Sequence, residues 1–259
     1  MSAPAARIDA AFAQNGKSAA LMPYLMGGFP DVETSLAAGL ACADAGADLI
    51  ELGIPFSDPL ADGPTIHAAG TRALAAGVTP KDVLGVCERI AERIPVVFMV
   101  YANLALQDGF ADRALAAGAS GLIVPDLPHD EAGQLRAACD ERGLALVPLV
   151  APTTTGERMD AIGADARGFV YTVSLTGTTG ERDELPPGLA GTVERVRAAA
   201  SVPVAVGFGI STPAHARAVA ELADGVIVGS RVVRAAGEGG AAAVGELVGE
   251  LAGALTAST

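Results

Sequence analysis

The sequence predicts a closed (β/α)8 barrel, a TIM barrel, folded as a single domain over residues 1–259, and three observations carry that expectation. Eight short apolar runs rich in β-branched residues recur along the chain. Ala/Leu/Arg/Glu-rich segments of helical character lie between them, and a hydrophobic content of 51% over 259 residues suffices for one large core. Near-continuous apolar strands alternating with helices form a parallel sheet covered on its faces, and eight such units in about 250 residues suit closure into a barrel. An open doubly wound sheet is the runner-up, weakened because no GxGxxG follows the first strand.

The strands are expected at AALMPYLMGG (19–28), ADLIELG (47–53), PVVFMVY (95–101), GLIVPD (121–126), LALVPLV (144–150), GFVYTVS (168–174), VPVAVGFG (202–209) and DGVIVGS (224–230). The intervening helical segments include DVETSLAAGLACADAG, TPKDVLGVCERIAER, DGFADRALAAGA, HDEAGQLRAACDERG and TPAHARAVAELA. Several open on Asp, Ser or Thr and several end on Gly, the residues that satisfy the backbone groups left over at helix termini.

Charge and composition exclude several function classes. A net charge of −13 with scattered basic residues lacks the footprint of a nucleic-acid or anionic-membrane binder. No long uncharged apolar run is present, and MSAPAARIDAAFAQNGK carries Arg7 and Asp9 without the apolar centre of a signal peptide, so a cytoplasmic protein is expected. Cys42, Cys87 and Cys139 lie far apart in helical patterns and form no CxxC pair, which suits reduced packing thiols.

In a barrel of this kind chemistry belongs at the C-terminal ends of the strands. The residues there are polar or glycine-rich: Glu51 on the second strand, Tyr101 on the third, Asp126 on the fourth, Tyr171 and Ser174 on the sixth, Gly207 to Gly209 on the seventh, Gly229 and Ser230 on the eighth. GFGIS and VGS put bare backbone N–H groups where a strand turns into a helix, the arrangement that receives an anion. Two adjacent loops of this kind predict a phosphate ester as ligand.

The inventory of reagents then narrows the reaction. Lys17 precedes the first strand and Lys81 opens a helix, so no lysine at a strand end can form a Schiff base. His67, His129 and His215 are dispersed, without the spacing of metal ligands. Carboxylates and a tyrosine remain, which predicts general acid–base catalysis on a substrate that supplies its own electron sink. Glu51, in the apolar strand ADLIELG, has no arginine near it in sequence before Arg72, and burial would raise its pKa towards neutrality. Asp62 in ADGP reads equally as a reagent or as the N-cap of the helix that follows, and Asp58 in FSDPL is explained by an exposed turn.

The segment LIELGIPFSDPLADGPTI resembles the signature of the tryptophan synthase alpha family. The family's other landmarks follow in order: PYLMGGFPD, YANL, VPDLP, YTVS with GTTGER, VGFGIS and IVGSRVV. The resemblance implies a (β/α)8 barrel with an extra N-terminal helix. It implies retro-aldol cleavage of indole-3-glycerol phosphate to indole and glyceraldehyde 3-phosphate, with no metal and no cofactor in this chain. It also implies a pyridoxal-phosphate-dependent beta subunit as partner in an alpha2beta2 complex. Protonation of the indole at C3 makes an internal imine, which explains why no lysine is needed.

By that resemblance Glu51 matches the acid/base, Asp62 the carboxylate at the indole N–H, and Tyr171 a supporting tyrosine. Gly180, Phe208, Gly209, Gly229 and Ser230 match the phosphate cup. Phe29, Met99 and Tyr101 are candidates for indole contact, with core packing as the competing account. Pro55 and Asp58, on the loop of residues 53–64, match partner-facing positions. SLTGTTGERDELPPG (174–188) reads as a lid or an ordinary surface loop by composition, and by resemblance Thr179 is the lid residue that meets Asp62. His67, the Thr of GTTG and the Leu of YANL depart from the family's usual residues. A stand-alone lyase and a mainly allosteric binding subunit are the alternatives, and a sugar-phosphate isomerase is the weaker reading from the fold alone.

Overall fold

The computed structural model describes residues 3–13, 16–173, 188–207 and 209–256. Its strands are β1 (Ala20–Met26), β2 (Ile50–Gly53), β3 (Val96–Met99), β4 (Gly121–Ile123), β5 (Ala145–Val147), β6 (Leu149–Val150), β7 (Val170–Val173), β8 (Val204–Gly207) and β9 (Gly225–Val228). Each lies inside one of the apolar runs that announced it, and every pairing is parallel.

The nine-stranded sheet has the order β5-β4-β3-β2-β1-β9-β8-β7-β6. Its two ends, β5 and β6, are halves of one strand interrupted at Pro148, so the sheet returns on itself as a barrel of eight strand positions. Proline has no N–H to offer the ladder. Its carbonyl still takes part, accepting Tyr171 N–H at 2.9 Å.

Burial divides the core as a covered barrel requires. Inside the sheet, Met22, Leu49, Val97, Ile123 and Ala205 pack with Ile8, which α1 (Pro4–Ala13) inserts among them. The expected N-terminal helix is therefore part of the interior packing. Outside the sheet, the opposite faces of the strands pack against the helices in one continuous apolar layer. Sequence-coded caps hold the helix starts: Asp31 accepts Thr34 N–H for α2 (Val32–Asp44), and Thr79 with Asp82 forms a capping box for α4 (Pro80–Ala91).

Two features depart from the expected layout near the mouth. β3 stops at Met99, and Tyr101 is instead the N-cap of a one-turn helix, α5 (Ala102–Ala105). The loop after β2 leads into α3 (Pro64–Ala75), whose N-cap is Gly63 with no side-chain hydrogen bond. Among the described residues no helix is long and apolar enough to cross a membrane.

Candidate active site

The site begins with strand register. Tyr24 on β1 pairs with Glu51 on β2, and Gly53 pairs with Met26 on one side and Met99 on the other. Residues in register on neighbouring parallel strands share a face, so Tyr24 and Glu51 both project into the barrel. At the C-terminal mouth a cavity of about 110 Å³ opens, lined by Tyr24, Glu51, Asp62, Met99 and Tyr171 together with Gly207, Gly209, Gly229 and Ser230.

Glu51 is 1% exposed and its Oε2 has no hydrogen-bond partner among the described residues. Among the described residues no cation pairs with it, and Arg72 lies over the Phe29 ring at 5.4 Å instead. Burial, and then the charge of Asp62, push the Glu51 carboxyl up to about 8. A carboxyl in that range is mostly protonated at neutral pH and can both give and take a proton.

Asp62 is held by a side chain distant in sequence. Its Oδ1 accepts the Tyr101 hydroxyl at 2.9 Å. Gly63 caps α3 without a side chain, so the capping account of Asp62 does not hold. Burial raises the Asp62 carboxyl, and the Tyr101 hydrogen bond followed by His67 opposes that rise. The Tyr101 ring stacks on Phe56 with centroids 4.9 Å apart, and its oxygen also accepts Ala61 N–H at 3.1 Å. Tyr101 thus fixes the active-site loop at three points.

The glycines divide by what a side chain would meet. A Cβ on Gly207 would lie 2.2 Å from the Tyr171 hydroxyl, so Gly207 is glycine to seat that ring. Gly229 has φ −99° and a Cβ there would meet nothing closer than Ile66 Cδ1 at 3.5 Å. Neither a left-handed backbone nor a clash with the described residues requires glycine at that position. Its bare backbone faces the cavity beside Ser230, the first residue of α11 (Ser230–Leu255). The first turn of a helix presents N–H groups without intrahelical acceptors, and its positive dipole end favours an anion.

The model of the tryptophan synthase alpha chain matches residues 10–251. The chain belongs to the tryptophan synthase alpha family. The tryptophan synthase alpha chain of Roseiflexus castenholzii is 52% identical over 220 residues, covering 83% of this chain and 84% of the relative. That of Lactiplantibacillus plantarum is 47% identical over 219 residues, 83% of each. Among solved structures, tryptophan synthase of Mycobacterium tuberculosis superimposes with a TM-score of 0.90 at 43% identity over 99% of both chains. The alpha subunit from Legionella pneumophila gives 0.86 at 37% identity over 96% and 98%. As a member of this family, the protein is a carbon–carbon lyase that cleaves indole-3-glycerol phosphate in tryptophan biosynthesis, and the family carries no cofactor of its own.

The remaining expectations fall in different places around this alpha-chain site. Met99 lines the cavity, whereas Phe29 packs with Met26, Ile66 and Ala73 and does not line it. Tyr101 acts on Asp62 and the loop. Pro55 is buried, and its loop presents Asp58, which accepts the Ser57 hydroxyl at 2.5 Å, and Leu60, which is 88% exposed. Asp126 accepts Ala102 N–H at 2.8 Å, at the start of α5. Ser174, Thr179, Gly180 and Phe208 lie outside the described residues. All three cysteines are buried, with thiols pushed up to about 12 by desolvation, too high for a nucleophile.

A larger cavity, about 290 Å³, lies between α7 (Gly133–Arg142) and α8 (Gly156–Asp165) and shares Pro125 and Leu149 with the alpha-chain site. Its polar groups are occupied with one another: Arg136 with Asp165 at 3.0 Å, the His129 ring with Asp165 at 3.4 Å, and Arg158 with Asp130 at 3.2 Å. The unpartnered acid is in the smaller cavity. Sequence reading missed Tyr24, although the inward alternation Met22, Tyr24, Met26 along β1 was the signal that could have found it.

Proposed function

We propose that Glu51 is the proton shuttle of the cleavage. Protonated at neutral pH, it donates to C3 of the indole ring, leaving positive charge on the ring nitrogen. The bond between C3 and the adjacent glycerol carbon then breaks and its electrons flow into the C=N of the protonated ring, restoring indole. The Glu51 carboxylate recovers a proton from the hydroxyl on the departing carbon, which becomes the aldehyde of glyceraldehyde 3-phosphate. Protons and electrons balance with one group serving twice. Asp62, oriented by Tyr101, accepts from the indole N–H and stabilises the charge that develops there. Tyr171 supports the Glu51 side of the cavity, and Gly209, Gly229 and Ser230 receive the phosphate.

The observation that carries this reading is a carboxyl inside the barrel mouth that has, among the described residues, no cation and no partner for Oε2. A structural acid so buried would destabilise the fold without return. The test is single-turnover indole release by Glu51→Gln, which should bind substrate and release no indole; turnover close to that of the parent chain would remove the assignment.

The chain is further proposed to act as one barrel domain in the cytoplasm, as the alpha half of an alpha2beta2 complex whose beta subunit holds pyridoxal phosphate. Similarity to tryptophan synthase of Mycobacterium tuberculosis, one structure of which is an aminoacrylate-bound form, supports the partner. The loop carrying Pro55 and Asp58 supports the docking face, since Leu60 stands almost wholly in solvent at its tip. Co-purification with the beta subunit, and indole production with and without it, tests that reading.

A further inference from the structure

The chain has three tyrosines, and all three stand at this one site. Tyr101 is bonded to Asp62, and Tyr171 is seated over Gly207. Among the described residues the hydroxyl of Tyr24 meets no oxygen or nitrogen acceptor. The residue is 4% exposed, and among the described residues the hydroxyl's contact of hydrogen-bonding type is Met26 Sδ at 4.0 Å, a weak acceptor. A phenylalanine would fill the same volume, so packing explains the ring and leaves the oxygen unexplained.

Position shows what the oxygen faces. Tyr24 starts in register with Glu51, and a Cβ on Gly53, two residues nearer the mouth on β2, would lie 2.1 Å from the Tyr24 hydroxyl. The ring therefore leans from the level of Glu51 out along the cavity wall. β1 lies between β9 and β2 in the sheet. Gly229 and Ser230, at the end of β9, form one side of Tyr24, and Glu51 on β2 forms the other. Burial, followed by the charges of Asp62 and Glu51, holds the phenol well above its usual range, so it remains a donor.

A glycerol phosphate chain held by its phosphate at Gly229 and Ser230, with its reacting carbon at Glu51, crosses β1 with its middle carbon. That orientation rests on the roles proposed above. We propose that the Tyr24 hydroxyl donates a hydrogen bond to the hydroxyl on the middle glycerol carbon of the substrate. Tyr24 is then a specificity-determining residue: it distinguishes a polyol phosphate side chain from a deoxy chain of equal length.

The test uses the full chain carrying Glu51→Gln, so that bound substrate is not consumed. The chain contains no tryptophan, so the indole fluorescence of the ligand reports binding directly. Kd is measured for indole-3-glycerol phosphate and for its analogue lacking the middle hydroxyl, with and without Tyr24→Phe. Tyr24→Phe should weaken the glycerol ligand roughly three- to tenfold, the range of one hydrogen bond, and leave the deoxy analogue unchanged. Equal weakening of both ligands, or no weakening of either, would overturn the proposal while leaving the site assignment intact. Failure of the Glu51→Gln chain to bind either ligand would overturn the site assignment, and the Tyr24 proposal with it.

Discussion

The Tyr101 hydroxyl donates to Asp62 Oδ1 at 2.9 Å across 39 positions of sequence and accepts Ala61 N–H at 3.1 Å through the same oxygen. This one atom sets both the backbone of the active-site loop and the direction of its carboxylate. Tyr101→Phe keeps the stacking on Phe56 and removes the anchor. Because the hydrogen bond lowers the Asp62 pKa against the effect of burial, its loss lets that pKa rise. The acid limb of the kcat profile should move to higher pH and kcat should fall on the order of tenfold, read from steady-state rates across pH.

Asp62→Asn should separate chemistry from folding. The N-cap of α3 is Gly63, so no helix loses its cap and Tm should stay close to that of the parent chain. Turnover should drop on the order of 10²-fold, since an amide cannot offset positive charge on the ring nitrogen. Thermal melts and indole release measured side by side check both halves.

Glu51 gives stability a pH dependence whose sign can be worked out. Its carboxyl, ordinarily at 4.5, sits at about 8 in the folded chain. Below the lower value it is protonated in both states and carries no penalty. Between the two values the unfolded chain has released a proton that the folded chain still holds, so stability falls as pH rises through that window. Glu51→Gln removes the effect: relative to the parent, its stability should climb from pH 5 to pH 8, by several kcal/mol at most on the order-of-magnitude scale of such shifts. A Tm difference that stays flat with pH would contradict the burial account.

Two glycine substitutions should fail in opposite ways. Gly207→Ala drives a Cβ into the Tyr171 hydroxyl and should lower stability by about 1–3 kcal/mol, read from denaturant melts. Gly229→Ala meets no described atom closer than 3.5 Å, so it should fold normally and raise KM about tenfold by narrowing the approach of the phosphate.

At the loop tip, Leu60→Asp should reduce co-purification with the beta subunit by tenfold or more and leave the uncomplexed lyase rate unaltered. Charge at an exposed apolar anchor opposes desolvation of an interface.

The barrel was legible because the strands are near-continuous apolar runs and several helices bring their own punctuation. Pro148 was visible inside LALVPLV, yet its effect, dividing one strand into β5 and β6, depends on ladder hydrogen bonds with neighbours far along the chain. Glu51 was legible because a lone acid in an apolar strand is costly wherever it points. Asp62 was ambiguous because an N-cap and a reagent look alike in sequence; the distinction came from Gly63 beside it and from Tyr101 far away. Tyr24 was hidden by its neighbours, for an aromatic in PYLM reads as core until the register puts it beside the acid. Phe29 shows the reverse: proximity in sequence to the mouth did not bring it into the cavity.

Pro125 and Leu149 each border both cavities. A side chain with open space on two sides meets less packed protein there than one embedded in a close-packed interior. The free space at the barrel mouth therefore lies on this flank and not where tyrosines press on glycines. Selection for bulkier ring-substituted indoles would find its room in that direction, at Leu149 and the strand break beside it, before it disturbed the acids.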